Sequence, residues 1–472
     1  MRSLDTTARN PNSIDVWTAL KGENDMSNTP RTKFRMNARS IALMATAALV
    51  AVGATACSSA DEPQDEGPVE LTFQVWGDTG IAEKQWESYA EAFPEEAEGV
   101  TMNVVSAGDN DGDAMQKLRL QLASGEDVPD IVQLNYSALP EFAESGVLTD
   151  VKPYVEDYLG NVTAAADTLM QYKDQYLAIP YEVKEKLWFY RTDLFEQAGI
   201  DVTQVKTQDD FIEAGEKLKA VAPNSSIWNI GPNPPEYVWA QIVSGNGARY
   251  SQQEPCEFVI AGDEGTADAF RAMKELRESG VVNTTFDDFS PEWQAALADG
   301  TVASVPIASW FPQFLQSYAP DLAGKWAVTT WPEIGGAVDG AGSGSGGSIF
   351  VIPTASEHPE EAAEFLAKSM MTKEGSLAFA TANPGYLPNV PDALNDPSIL
   401  ENEYFGTSLV DAFIAAADTY EIFPYDPASL KTTQVLQEQM VAYLASDEED
   451  PASFLQAAQD ELTAQVGCPY TS

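Results

Sequence analysis

Val69-Glu-Leu-Thr-Phe-Gln-Val-Trp76 alternates apolar and polar residues and is rich in β-formers, so it reads as a strand. Working outward, Trp86, Tyr89, Ala90 and Phe93 fall at i, i+3, i+4 and i+7. They form one apolar helix stripe that stops before Pro94. Val100-Thr-Met-Asn-Val-Val105 is a second strand, Met115, Leu118 and Leu122 mark a second helix halted at Gly125, and Asp130-Ile-Val-Gln-Leu134 is a third strand. Strand, helix, strand, helix, strand predicts a parallel sheet with right-handed crossovers, hence an α/β protein.

Beyond Tyr176-Leu-Ala-Ile-Pro-Tyr181 the pattern continues. Thr207 with Asp210 predicts a helix start, with Phe211, Ala214, Leu218 and Val221 along one face. Phe270, Met273, Lys274 and Arg277 mark another helix. Thr301-Val-Ala-Ser-Val-Pro-Ile307 is β-prone and runs into Ala308-Ser309-Trp310. Gly335 to Gly347 is rich in Gly and Ser and lacks the Gly-Lys-Ser/Thr ending of a phosphate loop. A flexible connection or a close backbone approach to a ligand is expected there. Ile349-Phe-Val-Ile-Pro353 follows as a strand, then a helix with Ala362, Phe365, Leu366 and Met370 on one side.

Arg31, Lys33, Arg35 and Arg39 flank an uncharged run from Ser40 to Gly53, which ends in Ala54-Thr55-Ala56 before Cys57. Basic region, short apolar region and small residues make a secretory signal, too short to span a bilayer comfortably. Residues 1–25 precede any natural signal, 26–56 read as the signal, and 57–68 as a flexible tether. The small residues before Cys57 resemble a lipobox, which implies a lipid anchor to the outer face of the cell membrane. Ala54 stands where such boxes usually carry Leu. The alternative is a plain signal with an incidental cysteine.

The chain carries 73 acidic and 26 basic side chains, a net charge of −47, which excludes general nucleic-acid binding. Its 472 residues exceed one compact domain. Cys256 and Cys468 remain beside Cys57 and form either a disulfide or two separate thiols. No cysteine spacing suits zinc, and neither a metal nor a cofactor is expected. His358, the single histidine, precedes Pro359-Glu360-Glu361 and reads as a helix start rather than a base.

Three segments carry a resemblance. They are Leu122 to Leu134 with Phe142-Ala-Glu-Ser-Gly-Val-Leu-Thr-Asp150; Ala178-Ile-Pro-Tyr-Glu-Val-Lys184 with Phe189-Tyr-Arg-Thr-Asp-Leu-Phe195; and Gly347 to Pro353 with Pro359 to Leu366 and Gly385-Tyr-Leu-Pro388. Together they resemble the family 1 extracellular solute-binding proteins of bacterial ABC importers, in particular the carbohydrate-binding group that includes maltose-binding protein. The resemblance implies a two-lobe, periplasmic-binding-protein-like fold of type II with three crossovers, near 179–181, 349–351 and 386–388. One lobe would comprise 69–178 and 350–386, the other 182–348 and 388–472. It also implies a monomer that closes on a sugar in the cleft and presents it to the importer's permease subunits.

Sugar binding needs flat apolar platforms beside fixed donors and acceptors. Trp310, after a β-prone run where the group often stacks a Trp, leads the candidates. Trp76 and Asp78 end the first strand, and Asn135 and Tyr136 the third; packing or turn roles are the alternatives. Tyr181 lies at the first crossover. Glu182, Lys184 and Lys186 share a face of an extended segment. Lys184 falls where maltose-binding protein has a ligand-contacting carboxylate, a departure that favours an acidic solute. Tyr237 and Trp239 precede Ser244-Gly-Asn-Gly247, a region the group uses for stacking, with core burial as the rival for Trp239. Gly346 and Gly347 could bring backbone N–H groups to the ligand, and Tyr386 lies at the third crossover. Tyr425 and Asp426 lie near a position where maltose-binding protein has a stacking Trp that this chain lacks. A secreted glycoside hydrolase is the rival function, needing only two acids about 5–10 Å apart. The same fold binding glycerol phosphate or a polyamine is a third.

Overall fold

β1 (Val69–Val75) ends one residue before Trp76, with Leu71, Phe73 and Val75 buried as the alternation requires. α1 (Gly80–Ala92), β2 (Val100–Ser106), α2 (Asp111–Ser124) and β3 (Ile131–Asn135) follow. β1 pairs in parallel with both β2 and β3. This computed structural model describes residues 68–470 apart from 109–110, 337–343, 401–402, 407 and 418–419. The signal, most of the tether and Cys57 lie outside the described residues.

The sheet is completed by β4 (Ile179–Arg191), a strand of 13 residues. β5 (Ser304–Ala308) and β6 (Trp326–Thr330) pair with its second half, and β7 (Gly344–Val351) with its first, all antiparallel. β7 also pairs with β3, so seven strands form one sheet in the order β5-β4-β7-β3-β1-β2, with β6 on β4. The buried apolar side chains divide along β4. Those up to Val183 join clusters built on Phe73, Leu134, Phe350 and Phe365, whereas Leu187, Trp188 and Phe189 join clusters built on Phe211, Phe270, Trp293 and Phe311. The divide in packing falls between Val183 and Leu187. Lys184, Glu185 and Lys186 occupy the gap between the two cores. Packing changes sides again before Ile349 and between Tyr386 and Leu387. The molecule therefore has two cores, here called halves, joined by a shared sheet.

Local signals explain the element ends. Thr207 and Asp210 form a reciprocal capping box at α3 (Gln208–Val221). Buried helices α4 (Glu236–Gly245) and α5 (Glu264–Glu278) follow in the second half. His358 is the N-cap of α6 (Pro359–Met371), with Pro359 at the first position. α7 (Ser429–Leu444) and α8 (Ala452–Gln465) close the chain. A disulfide joins Cys256 to Cys468, with Cα atoms 5.3 Å apart. Among the described residues no helix is long and apolar enough to cross a membrane.

Residues 337–343 of the Gly/Ser-rich stretch lie outside the described residues, and its described end departs from expectation. Its end, Gly344–Gly347, is strand rather than flexible connection, because Gly347 lies against β4: a Cβ there would stand 2.2 Å from Glu182 O and 2.6 Å from Leu169 Cδ1. The close approach that calls for glycine is to the protein's own backbone.

Candidate functional site

The carboxyl edge of the parallel strands carries Trp76, Asp78, Asn135 and Tyr136. Trp76 is half-buried, and Asp78 is exposed and accepts from Gly80 N at 2.6 Å, an Asx-type turn into α1. Asn135 Nδ2 donates to Asp111 Oδ2, the first residue of α2, at 3.2 Å. Tyr136 donates to Gln171 O at 3.1 Å, and its ring meets the edge of Tyr425 at 6.1 Å. Burial pushes the Tyr136 hydroxyl up to about 12. Tyr425, from the far end of the chain, packs against clusters of both halves.

A crevice at the junction of the halves is lined by Tyr181, Glu182, Ser309, Trp310, Gln313 and Tyr386, among others. The Tyr181 and Tyr386 rings stack at 6.0 Å and 11°, and Tyr386 Oη donates to Tyr181 O at 3.1 Å. Glu182 Oε1 accepts from Ser348 Oγ at 2.9 Å, and burial holds its carboxyl above the ordinary range. Trp310 is half-buried and gripped by Tyr237 at 5.8 Å, Phe289 at 6.0 Å and Phe314 at 5.4 Å. Tyr237 is itself fixed by donating to Asp288 Oδ2 at 2.8 Å, a carboxyl that burial pushes up to about 6. Phe289 holds φ at +62°, unusual for a bulky residue, and lies nearly parallel to Trp310 at 27°. The free volume is about 20 Å³, room for one water and not for a sugar ring. Occupation by anything larger requires the halves to part.

Charge crosses the same junction. Lys184 lies near enough to Glu182 and Glu236 to favour ionisation of both. Glu236, the first residue of α4, is pushed up to about 7, chiefly by burial and then by Asp111 in the other half. Carboxylates from opposite halves and a lysine therefore lie within electrostatic range of one another. Such a set can accept hydrogen bonds from hydroxyls and donate one from an ammonium. Among the described residues no group of three or more His, Cys, Asp and Glu is placed to hold a metal ion.

The family model of the bacterial extracellular solute-binding proteins matches residues 88–407, more than half of the chain. The chain belongs to that family. The arabinooligosaccharide-binding protein of Halalkalibacterium halodurans is 24% identical over 417 residues, covering 85% of this chain and 90% of the relative. The lactose-binding protein of Rhizobium radiobacter is 29% identical over 63% of this chain and 69% of its own length. Among solved structures, the ABC transporter associated binding protein of B. animalis subsp. lactis, in complex with β-1,6-galactobiose, superposes with a TM-score of 0.69. It is 20% identical and covers 85% of this chain and 99% of its own. The fold is the two-lobe α/β fold of these extracellular binding proteins, and each half is a lobe.

Within this solute-binding protein the expected site residues separate. Tyr181, Glu182, Trp310 and Tyr386 line one crevice, Tyr237 backs Trp310, Tyr136 meets Tyr425, and Lys184 lies among the cleft acids. Two expectations are corrected. Trp239 is 0% exposed within the second lobe's core, and its Nε1 donates to Gln437 Oε1 at 2.6 Å, so it has no face to offer a ligand. Asp426 is 2% exposed and occupied in starting α7, where Oδ1 accepts from Ala428 N at 2.8 Å and lies 3.1 Å from Ser429 Oγ. Gly347 serves strand packing, and Gly346 lies in the same strand. Asp111, Glu236 and Gln313 were not singled out beforehand, and Ser309 only as the neighbour of Trp310. The Pro234-Pro235-Glu236 helix opening was the one signal available for Glu236.

Proposed function

We propose that this protein binds a sugar or oligosaccharide between its lobes and delivers it, unaltered, to the permease of an ABC importer. It works outside the cell as a monomer, anchored through a lipid on Cys57. One observation carries the reading: Trp310, gripped on three sides, and the stacked Tyr181–Tyr386 pair meet the Glu182 carboxylate in a crevice between lobes. Flat rings beside a fixed acceptor are what a sugar's C–H face and hydroxyls require. The names of the relatives, which bind arabino-oligosaccharide and lactose, support the same class. Lys184 favours ionisation of Glu182 and Glu236 beside it, so its charge is at least partly offset and does not turn the cleft toward anions. A neutral polyhydroxyl solute fits this balance.

The test is calorimetry and thermal denaturation of the full chain with arabino-oligosaccharides, lactose and β-1,6-galactobiose, followed by chromatography of the sugar. The expected result is saturable one-to-one binding, a raised melting temperature and intact sugar. Absence of binding across the panel, or catalytic release of shorter sugars, would overturn it.

A further inference from the structure

Behind Trp310, one hydroxyl serves two oxygens. Ser309 Oγ lies 2.7 Å from Val183 O and 2.8 Å from Glu185 Oε2. A serine hydroxyl has one proton to donate, and an ionised carboxylate has none. With Glu185 ionised, one of these short contacts would be two oxygens facing each other without a proton. With Glu185 protonated, both are satisfied: Glu185 Oε2–H donates to Ser309 Oγ, and Ser309 Oγ–H donates to Val183 O. Ser309 N also donates to Glu185 O at 3.2 Å, so the turn bearing Trp310 hangs from β4 at Glu185 through both main chain and side chain.

We propose that Glu185 acts as a neutral carboxylic acid and is a positioning residue for Trp310, fixing through Ser309 the turn that presents the indole to the crevice. The surroundings favour the neutral form. Glu185 is 1% exposed. Its strand neighbours Lys184 and Lys186 project from the other pleat face. Glu182 adds a like charge, and the Tyr420 hydroxyl is a further titratable group in electrostatic range. Burial pushes the Glu185 carboxyl up to about 8 even where Ser309 and the backbone donate to it. The role assigned to Trp310 is that of the preceding subsection, but the test needs no ligand, so the two readings fail separately.

The experiment is a pH titration of the ligand-free full chain. Carboxyl carbons of glutamate are followed by NMR, and Trp310 emission is isolated as the difference from Trp310→Phe. The expected result is one glutamate titrating about three units above the ordinary range, absent in Glu185→Gln, with Trp310 emission changing at the same midpoint. In Glu185→Gln the amide donates to Ser309 as the acid does, and the Trp310 emission becomes flat with pH. Ser309→Ala supplies a second arm that does not depend on the glutamine variant folding. It lowers the midpoint, because the neutral acid loses its acceptor. Titration of every glutamate in the ordinary range, emission that ignores the Glu185 midpoint, or a midpoint raised by Ser309→Ala would each overturn the proposal.

Discussion

Trp310→Ala and Trp239→Phe, made side by side, separate ligand contact from core packing. Trp310 is half-buried and touches Tyr237, Phe289 and Phe314 by ring edges or faces. Truncating a fully buried large aromatic costs about 3–5 kcal/mol, so a half-buried one should cost roughly 2 kcal/mol of stability. An indole at the centre of a binding site contributes about 2 kcal/mol or more to affinity, which is about a 30-fold rise in Kd. Trp239 is 0% exposed, and its Nε1 satisfies Gln437 Oε1 at 2.6 Å. Phenylalanine there leaves that oxygen unpaired and costs about 1–3 kcal/mol of stability. It lies away from the crevice, so affinity should hold within about twofold. Urea denaturation gives the first quantity and calorimetry with a panel sugar the second. Unchanged affinity in Trp310→Ala, or lost affinity in a folded Trp239→Phe, would refute the reasoning.

Other consequences follow from single features. Cys256–Cys468 links residues 212 apart, so Cys256→Ser should cost up to about 5 kcal/mol by the loop-entropy argument; an unchanged denaturation midpoint would contradict it. Thr207→Ala removes half of a capping box and should cost about 1 kcal/mol, read as a lower melting temperature. Glu185 and Glu236 are raised from 4.5 to about 8 and about 7, so the folded chain holds protons that the unfolded chain has released. Their neutral forms cost nothing below 4.5, and stability falls as pH rises from there to 8. Lys186, lowered to about 7 from 10.5, works the other way, its cost full below 7 and relieved as pH climbs to 10.5. Glu185→Gln should therefore match wild type in melting temperature near pH 4.5 and exceed it near pH 8. A constant difference across that range would count against the assignment.

The lobe carrying β1 to β3 was legible because its signals are local. Period two makes the strands, period 3.6 makes α1 and α2, and Gly125 stops a helix by its own backbone freedom. The Thr207–Asp210 box and the His358–Pro359 start are equally local chemistry. The candidate site was only partly legible because exposure is set by distant partners. Trp239 and Trp310 are the same residue type, but Trp239 sits where Val238 to Ser244 are all buried, a helix covered on every side. Gly344–Gly347 looks like a loop by composition, and pairing with the distant strand residues Glu185 and Val183 makes it strand. Asp111 and Glu236 lie far apart in sequence, and only the fold brings them within electrostatic range of one another. Reading Glu182, Lys184 and Lys186 as one face passed over Glu185 on the other, where the burial is deepest.

The most direct measurement is a crystal structure of the protein grown with an arabino-oligosaccharide. The account predicts one intact sugar between the lobes, a ring lying on Trp310 near the Tyr181–Tyr386 pair, and hydroxyls donating to Glu182 and Glu236. Sugar bound on the outer surface of either lobe, with the crevice at Trp310 still shut, would contradict it.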